Sequence, residues 1–322
     1  MPAATTTIAT VRNDLSDAVM AFDLLANQAN FIGHQIFRPL NVASKAGTYP
    51  KVSLDQLLQD GDVTRSQYSG FNRGNWTFTP TTYAVKNYGW EEMIDDDEAQ
   101  MYADFFDAEV MAAQRAQHMV MLKAEMRIAA AVFNTSTYTA TSITNEWDDF
   151  TNAVPVDDVI AAQKRVFAAS GLWPNSLIIN RSVFLNLRGC DQIRDRVASS
   201  GAGDSTLVRK ITAQQVAEAL DLDHVLVAGG AKNSANEGQT ASPGHIWSDE
   251  YAMVCKTAET NDPREPCIGR TFHWAGNGSS ETGRIETYRD EPVMADITRA
   301  RHDVSEVNIF TETAELLDNV TT

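Results

Sequence analysis

Several features that would assign this 322-residue chain to a common protein class are missing from its sequence. It has three cysteines, Cys190, Cys255 and Cys267, which lie far apart and form no CxxC motif. Such usage predicts a reducing compartment and no disulfide framework. No run of about eighteen apolar residues exists, so we expect no transmembrane helix. The first residues, MPAATTTIATVRND, lack the basic and apolar blocks of a signal peptide.

Motifs that carry catalysis or ligand binding are also missing. The sequence contains no GxSxG and no HExxH, and its six histidines have no metal-ligand spacing. The segment GAGDST at 201–206 lacks the lysine of a phosphate-binding loop, so a flexible loop is the better interpretation. Asp95, Asp96 and Asp97 suit the first turn of a helix better than a divalent-cation site. We therefore predict no catalytic residue, no cofactor and no metal. An α/β enzyme with an unrecognised site remains a remote alternative.

Positive charge is in short supply. The formal net charge is −17, from 26 lysines and arginines against 43 aspartates and glutamates. A general nucleic-acid-binding surface needs clustered lysine and arginine, so this balance argues against one. It does not argue against a container for nucleic acid, in which adhesion to the contents would be a defect.

Proline and glycine are absent from the stretch Asp95–Asn134. Its residues are mostly strong helix formers, and apolar side chains recur every three or four positions along one face. A helix of this extent would be roughly 55 Å long, several times the usual length in globular proteins. We interpret it as a strut. The alternative is one helix of an ordinary bundle, but no second long helix is evident to pack against it.

The segment before this helix indicates projecting parts. Residues 30–57 carry short apolar bursts broken by Pro39 and Pro50, which predicts an extended arm. Between 45 and 88, two strand-like stretches flank a polar, glycine-containing tip, and Pro80 marks an edge strand. A long hairpin with so little apolar surface must lie on its own chain or on a neighbour. A disordered surface loop is the alternative, although interleaved aromatic residues argue against full disorder.

The remainder of the chain predicts an α/β unit followed by strands. A helix begins near Asp157 and stops at Gly171, and PNSLIIN (174–180) and HVLVAGG (224–230) are typical of buried strands. Further helices are expected from Asn180 or Ser182, and over 210–223 with Thr212 as the cap. The segments 245–257, 270–276, 283–291 and 296–310 show strand patterns separated by turns.

In this order, the blocks resemble one family: the major capsid proteins of tailed phages, with the Hong Kong 97-type capsid fold. FIGHQIFRPLNVASKAGTYPKVSLDQL resembles the N-terminal arm running into the extended loop, and YAVKNYGWEEMIDDDEA resembles the return strand and the entry to the spine helix. EWDDFTNAVPVDDVIAAQKRVFAASGLWPNSLIINRSVFLNLRGCDQIRDRV resembles the crossing into the axial domain. The resemblance implies an α+β fold with an arm (1–44), an extended loop (45–90), a peripheral domain with the spine helix (91–155, joined by strands within 263–295) and an axial domain (156–262, joined by 296–322).

The resemblance also implies a structural protein that self-assembles through homo-pentamers and homo-hexamers into an icosahedral shell around double-stranded DNA. Partners would be sister copies, a separately encoded scaffold protein, a portal and a decoration protein, with assembly in the host cytoplasm. Lys–Asn cross-links found in some family members have no matching pair here. An encapsulin-like compartment that encloses enzymes stays open as an alternative. Seven aromatic residues on the arm and loop are the candidate inter-subunit contacts: Phe31, Phe37, Tyr49, Tyr68, Trp76, Phe78 and Tyr83.

Overall fold

The structure is a computed structural model, and it describes residues 10–11, 28–52, 56, 58–74, 77–102, 108–199, 211–236 and 238–321. The fold is α+β, as predicted, and the described residues form two main sheets and two separate two-stranded hairpins. The segment 201–206 and the candidate contact Trp76 lie outside the described residues.

The first sheet has six strands: β1 (Thr10–Val11), β2 (Pro39–Val42), β5 (Lys86–Asp95), β12 (Gly269–Trp274), β13 (Arg284–Asp290) and β14 (Ala295–Asn308). The 14-residue strand β14 organises it, because β5, β12 and β13 all pair antiparallel with it. The strand β2 adds in parallel to β12, and β1 pairs with β13. This sheet therefore joins the arm, the return strand of the loop and the last third of the chain.

Two helical segments follow β5, namely α2 (Asp96–Tyr102) and α3 (Ala108–Val132). The 25 residues of α3 make a helix about 37 Å long, which packs on one face of the first sheet. Its small side chains allow close approach: Ala116 and Val120 pack on Ala300 of β14. The predicted helix is thus confirmed over 96–102 and 108–132, while 103–107 lies outside the described residues. Asp95 caps the start by accepting a hydrogen bond from Asp97 N at 2.9 Å.

The second sheet has five strands: β6 (Ala140–Ser142), β7 (Ser176–Asn180), β8 (His224–Ala228), β11 (Ala252–Cys255) and β15 (Ala314–Asp318). Four helices accompany it: α4 (Pro155–Ser170), α5 (Arg181–Leu187), α6 (Asp191–Ser199) and α7 (Ala213–Ala219). The central strands β7 and β11 are buried along their whole length, which explains their unbroken apolar runs. The predicted α/β unit is confirmed; α6 was not predicted.

Local sequence signals placed the ends of these helices. Gly171 adopts φ +71° and its N–H bonds Phe167 O, so it ends α4 in the left-handed conformation that favours glycine. The Asn180 side chain accepts from Ser182 N at the start of α5. Thr212 and Gln215 form a capping box at the start of α7.

The extended loop begins and ends as a two-stranded hairpin of β3 (Ala46–Val52) and β4 (Phe78–Ala84), in which Pro50 pairs with Pro80. Tyr49 and Tyr83 both pack on Phe272 of β12, with the Tyr83 ring stacked at 4.6 Å between centroids. The root of the hairpin is therefore held by its own chain. A smaller hairpin, β9 (Ala231–Asn233) with β10 (Pro243–His245), extends from the α/β unit.

Two sequence-based expectations need correction. The arm is not extended throughout, because Gln28–Asn30 forms a 3-10 turn and α1 (Gly33–Ile36) a helical turn. Among the described residues, β14 pairs with strands of the first sheet and β15 with strands of the second, so the segment 296–322, which was expected to join the axial domain as a unit, is divided between the two sheets. The other proposed domain boundaries stay predictions.

Candidate inter-subunit surfaces

The distal part of the extended loop, residues 58–74, is exposed at every position. Its apolar side chains are almost bare: Tyr68 is 99%, Val63 90% and Phe71 71% exposed. Local hydrogen bonds give it shape, since Asn72 Nδ2 donates to Asp62 O at 2.7 Å. The loop therefore presents large, mostly exposed apolar side chains in a defined arrangement; among the described residues, Arg65 of the same loop lies over the Phe71 ring at 5.0 Å from its centroid.

The structure separates the seven aromatic candidates. Phe37 is fully buried in the subunit's own core, which corrects its prediction as a contact with a neighbour. Phe31 is partly buried and stacks on His118 with ring centroids 6.1 Å apart. Tyr49 and Tyr83 are partly buried on Phe272. Of the remaining candidates, Tyr68 is bare, Phe78 pairs with Val52 at the far end of the hairpin, and Trp76 is outside the described residues.

A second exposed apolar surface, which the sequence did not indicate, lies between β5 and α3. Trp90 of β5 and Met111 and Met119 of α3 line a cavity of about 240 Å³. The charged side chains at the edge of this cavity pair with each other: Glu92 forms an ion pair with Arg115 at 3.7 Å. Glu92 also accepts a hydrogen bond from Trp90 Nε1 at 2.8 Å. Among the described residues, β5 pairs on one side only, so this cavity sits beside an open strand edge.

The turn between β13 and β14 carries a third apolar surface. Val293 and Met294 are exposed there, and Met294 has φ +54°. Met294 O accepts from Asp96 N at 3.2 Å, so the turn abuts the start of α2. Beside it, Arg289 forms a bidentate ion pair with Asp96, and this pairing lowers the pKa of that carboxyl.

One buried carboxylate joins three parts of the chain. Glu125 of α3 is 3% exposed and accepts from Ile32 N at 3.0 Å, Gly33 N at 2.8 Å and Trp247 Nε1 at 2.7 Å. Burial raises the pKa of this carboxyl, and the three N–H donors oppose that rise. A Cβ on Gly33 would lie 2.5 Å from Glu125 Oε2, so the arm can approach the helix this closely only with glycine there. In the sequence, Glu125 is recognisable only as a residue that favours a helix.

Titratable groups elsewhere are buried rather than poised for chemistry. Burial raises the pKa of all three thiols, which keeps them protonated. Burial, with His34 and His273 nearby, lowers the pKa of His302 to about 3. In the described part of the chain, no group of three or more His, Cys, Asp or Glu side chains could hold a metal ion. Within the same residues, no helix has the length and apolar character to cross a bilayer.

One serine–histidine pair lies just beyond the end of β7. Ser182 Oγ and His245 Nε2 are 3.3 Å apart at an exposed position. The sequence did not indicate this pair. A nucleophile of this kind needs its base oriented by a third group, and across the described residues no carboxylate is hydrogen-bonded to the His245 ring. The pair therefore does not make a case for catalysis.

Known proteins resemble this chain in three-dimensional structure but not in sequence. No protein-family model and no curated protein sequence matches the chain. Solved structures do match it over nearly its whole length. A phage-related protein from Bordetella bronchiseptica RB50 has a TM-score of 0.68 at 16% identity, covering 98% of this chain and 99% of that one. The capsid of cyanophage P-SCSP1u has a TM-score of 0.57 at 8% identity, covering 87% and 85%. The chain has the Hong Kong 97-type capsid fold.

A virus-like particle from Pyrococcus furiosus shares this capsid fold, with a TM-score of 0.55 at 11% identity and coverage of 95% and 97%. Similarities at these identities establish the fold and leave function to be argued from the surfaces.

Proposed function

We propose that this chain is the major capsid protein of a tailed phage, and that copies join as pentamers and hexamers into an icosahedral shell around double-stranded DNA. The capsid fold supports a shell subunit. The observation that carries the proposal further is the bare tip of the extended loop, residues 58–74. Apolar side chains this exposed on a projecting segment are a cost for a lone soluble monomer and a gain once another surface covers them.

The contacts expected from such a loop are heterologous. The loop tip of one copy meets a different surface on the next copy, and repetition of that contact closes rings. Tyr49 and Tyr83 are partly buried on Phe272 and hold the root of the loop, while Phe31 of the arm is partly buried against His118. Among the candidates whose side chains the structure describes, Tyr68 is the one that remains free to meet a neighbour.

The charge of the chain fits enclosure of DNA without sequence-specific binding. A formal charge of −17 per copy repels phosphate, so packaged DNA would slide along the inner wall rather than adhere to it. We also propose a scaffold protein, a portal and a decoration protein as partners, and assembly in the host cytoplasm.

Electron microscopy of particles formed by the expressed chain tests the proposal. Closed shells of one chain, with nuclease-protected DNA in particles from infected or induced cells, are the expected result. A protein cargo in place of DNA would favour a compartment that encloses enzymes. A stable monomer that hydrolyses ester substrates through Ser182 and His245 would contradict a shell role altogether.

A variant pair tests the loop tip directly. Tyr68→Asp places a charge where we expect a neighbour to cover an apolar ring, so it should abolish shells while leaving the subunit folded. Tyr68→Phe keeps the ring and should assemble like the parent. If both variants assemble equally well, the loop tip is not an inter-subunit contact.

A further inference from the structure

The far end of the extended loop touches the α/β unit of its own chain at the end of α4. There, Gly171 turns the chain in the left-handed conformation, and Phe167 and Trp173 on either side stack with ring centroids 4.7 Å apart. Both rings are about half exposed. The turn at Gly171 thus forms a small apolar surface on the outside of the α/β unit.

Leu58 lies directly over this turn. A Cβ built on Gly171 would collide with Leu58 Cδ1, and among the described residues outside its chain neighbours no other side chain comes within 4 Å of that position. Two residues earlier, Gln56 Oε1 accepts from Thr77 N at 2.9 Å, which ties the outgoing and returning segments together. Leu58 is therefore the first residue of the exposed tip, and it bears on the Gly171 turn.

The contact has the features of one that can be released. Leu58 keeps 61% of its surface exposed, so its separation from Gly171 exposes little additional apolar surface to water. Leucine and glycine have no charged side chain, so separation of Leu58 from Gly171 leaves no charge unpaired. By contrast, the hairpin root is fixed by Tyr49 and Tyr83 on Phe272.

We propose that the Leu58–Gly171 contact holds the loop tip against the α/β unit in the free subunit, and that the tip leaves Gly171 when it engages a neighbouring copy. The second half rests on the proposed shell function; the first half does not. Glycine at position 171 has two roles: it ends α4 in the left-handed conformation, and its lack of a side chain leaves room for Leu58.

A reversible cross-link tests both halves. In the pair Leu58→Cys with Gly171→Cys, mild oxidation should form an intramolecular disulfide in the free subunit. The parent's own three cysteines are buried and should not interfere. The pair Val63→Cys with Gly171→Cys is the matched control, and it should stay reduced because Val63 is 90% exposed further along the tip. The oxidised Leu58 pair should form no shells, and added reductant should restore them.

Because a side chain at Gly171 is strained, a second measurement leaves that residue unchanged. Leu58→Ala should raise the rate of trypsin cleavage at Arg65 and Arg73 in the free subunit by about threefold to tenfold. The reason is that a tip released from Gly171 can adopt the extended conformation that the protease active site binds. Val63→Ala, an equal truncation on the same tip, should leave the rate unchanged.

The outcomes separate the two ideas. Failure to cross-link, together with equal trypsin rates for the two alanine variants, would overturn the contact. Shells that assemble equally well with the disulfide closed would overturn its release. If the parent chain forms no shells at all, the proposed function and the release both fail, while the free-subunit measurements still decide the contact.

Discussion

Glu125 offers the sharpest test of how the subunit is held together. Replacement by glutamine keeps the size of the side chain and removes one acceptor oxygen and the charge. The amide oxygen can take the place of Oε1, which serves Ile32 N and Trp247 Nε1. The amide NH₂ then faces Gly33 N–H at 2.8 Å, donor against donor.

The expected loss follows from the three hydrogen bonds. Hydrogen bonds to charged groups contribute about 1.5–3 kcal/mol each, and an unsatisfied buried N–H costs about 1–3 kcal/mol. The desolvation that raises the pKa of Glu125 offsets part of this gain in the parent protein. We therefore expect Glu125→Gln to lower the free energy of unfolding by about 2–4 kcal/mol. Trp247→Phe removes a single donor and should cost about 1–2 kcal/mol.

Denaturant unfolding of the free subunit measures these differences. Glu218→Gln on α7 is the control, because Glu218 is exposed and such a surface change should stay within about 0.5 kcal/mol. Hydrogen exchange should also show faster exchange of the Ile32 and Gly33 amides in Glu125→Gln. If Glu125→Gln and Glu218→Gln unfold at the same denaturant concentration, the junction contributes nothing and the reasoning is refuted.

Three further predictions concern other parts of the subunit. Burial lowers the pKa of His302 to about 3, so the His302 ring binds a proton less tightly in the folded protein than in the unfolded chain. Above pH about 6.5 the ring is neutral in both states, and the protein has its full stability. As the pH falls from about 6.5 towards 3, the unfolded chain takes up the proton, and the free energy of unfolding falls by up to about 1.4 kcal/mol per pH unit. In acid titrations of stability His302→Phe should flatten that slope, whereas His224→Phe, at an exposed position, should not. Arg270 is 1% exposed and donates to two backbone carbonyls at 2.8 Å. Arg270→Met should therefore lower the free energy of unfolding by about 3–5 kcal/mol in denaturant titrations. A variant as stable as the parent protein would contradict this structural role of Arg270. Tyr83→Ala removes the ring stacked on Phe272 and should speed hydrogen exchange of β3 and β4 alone; faster exchange throughout the first sheet would contradict a local role.

Features set by neighbouring residues could be predicted from the sequence. The cap at Thr212, the end of α4 at Gly171, the buried strand β7 and the strand β8 follow from side chains within a few positions of each other, although β8 is only partly buried. Their physical causes, capping and the free φ of glycine, are local. The resemblance to capsid proteins then supplied the arrangement of these elements.

Features set by distant residues could not be predicted. The donors to Glu125 come from residues 92, 93 and 122 positions away, so a mid-helix glutamate gave no sign of its role. The pattern of β14 predicted a strand but not the sheet it joins, since pairing depends on partners far along the chain. Phe37 looked like an exposed arm residue because the arm's sequence does not reveal that its ring lies against Gly269 of β12, in a buried cluster shared with α3 and the second sheet.

The facing prolines of the loop hairpin affect how copies can adhere to one another. Pro50 and Pro80 stand at the same level of β3 and β4, so each strand is missing an amide hydrogen there. A third strand from another molecule cannot complete a regular ladder along either side of this hairpin. A chain that exposes its loop at high concentration is thereby protected from stacking into endless ribbons, and recognition between copies is left to side chains, which can distinguish one surface from another.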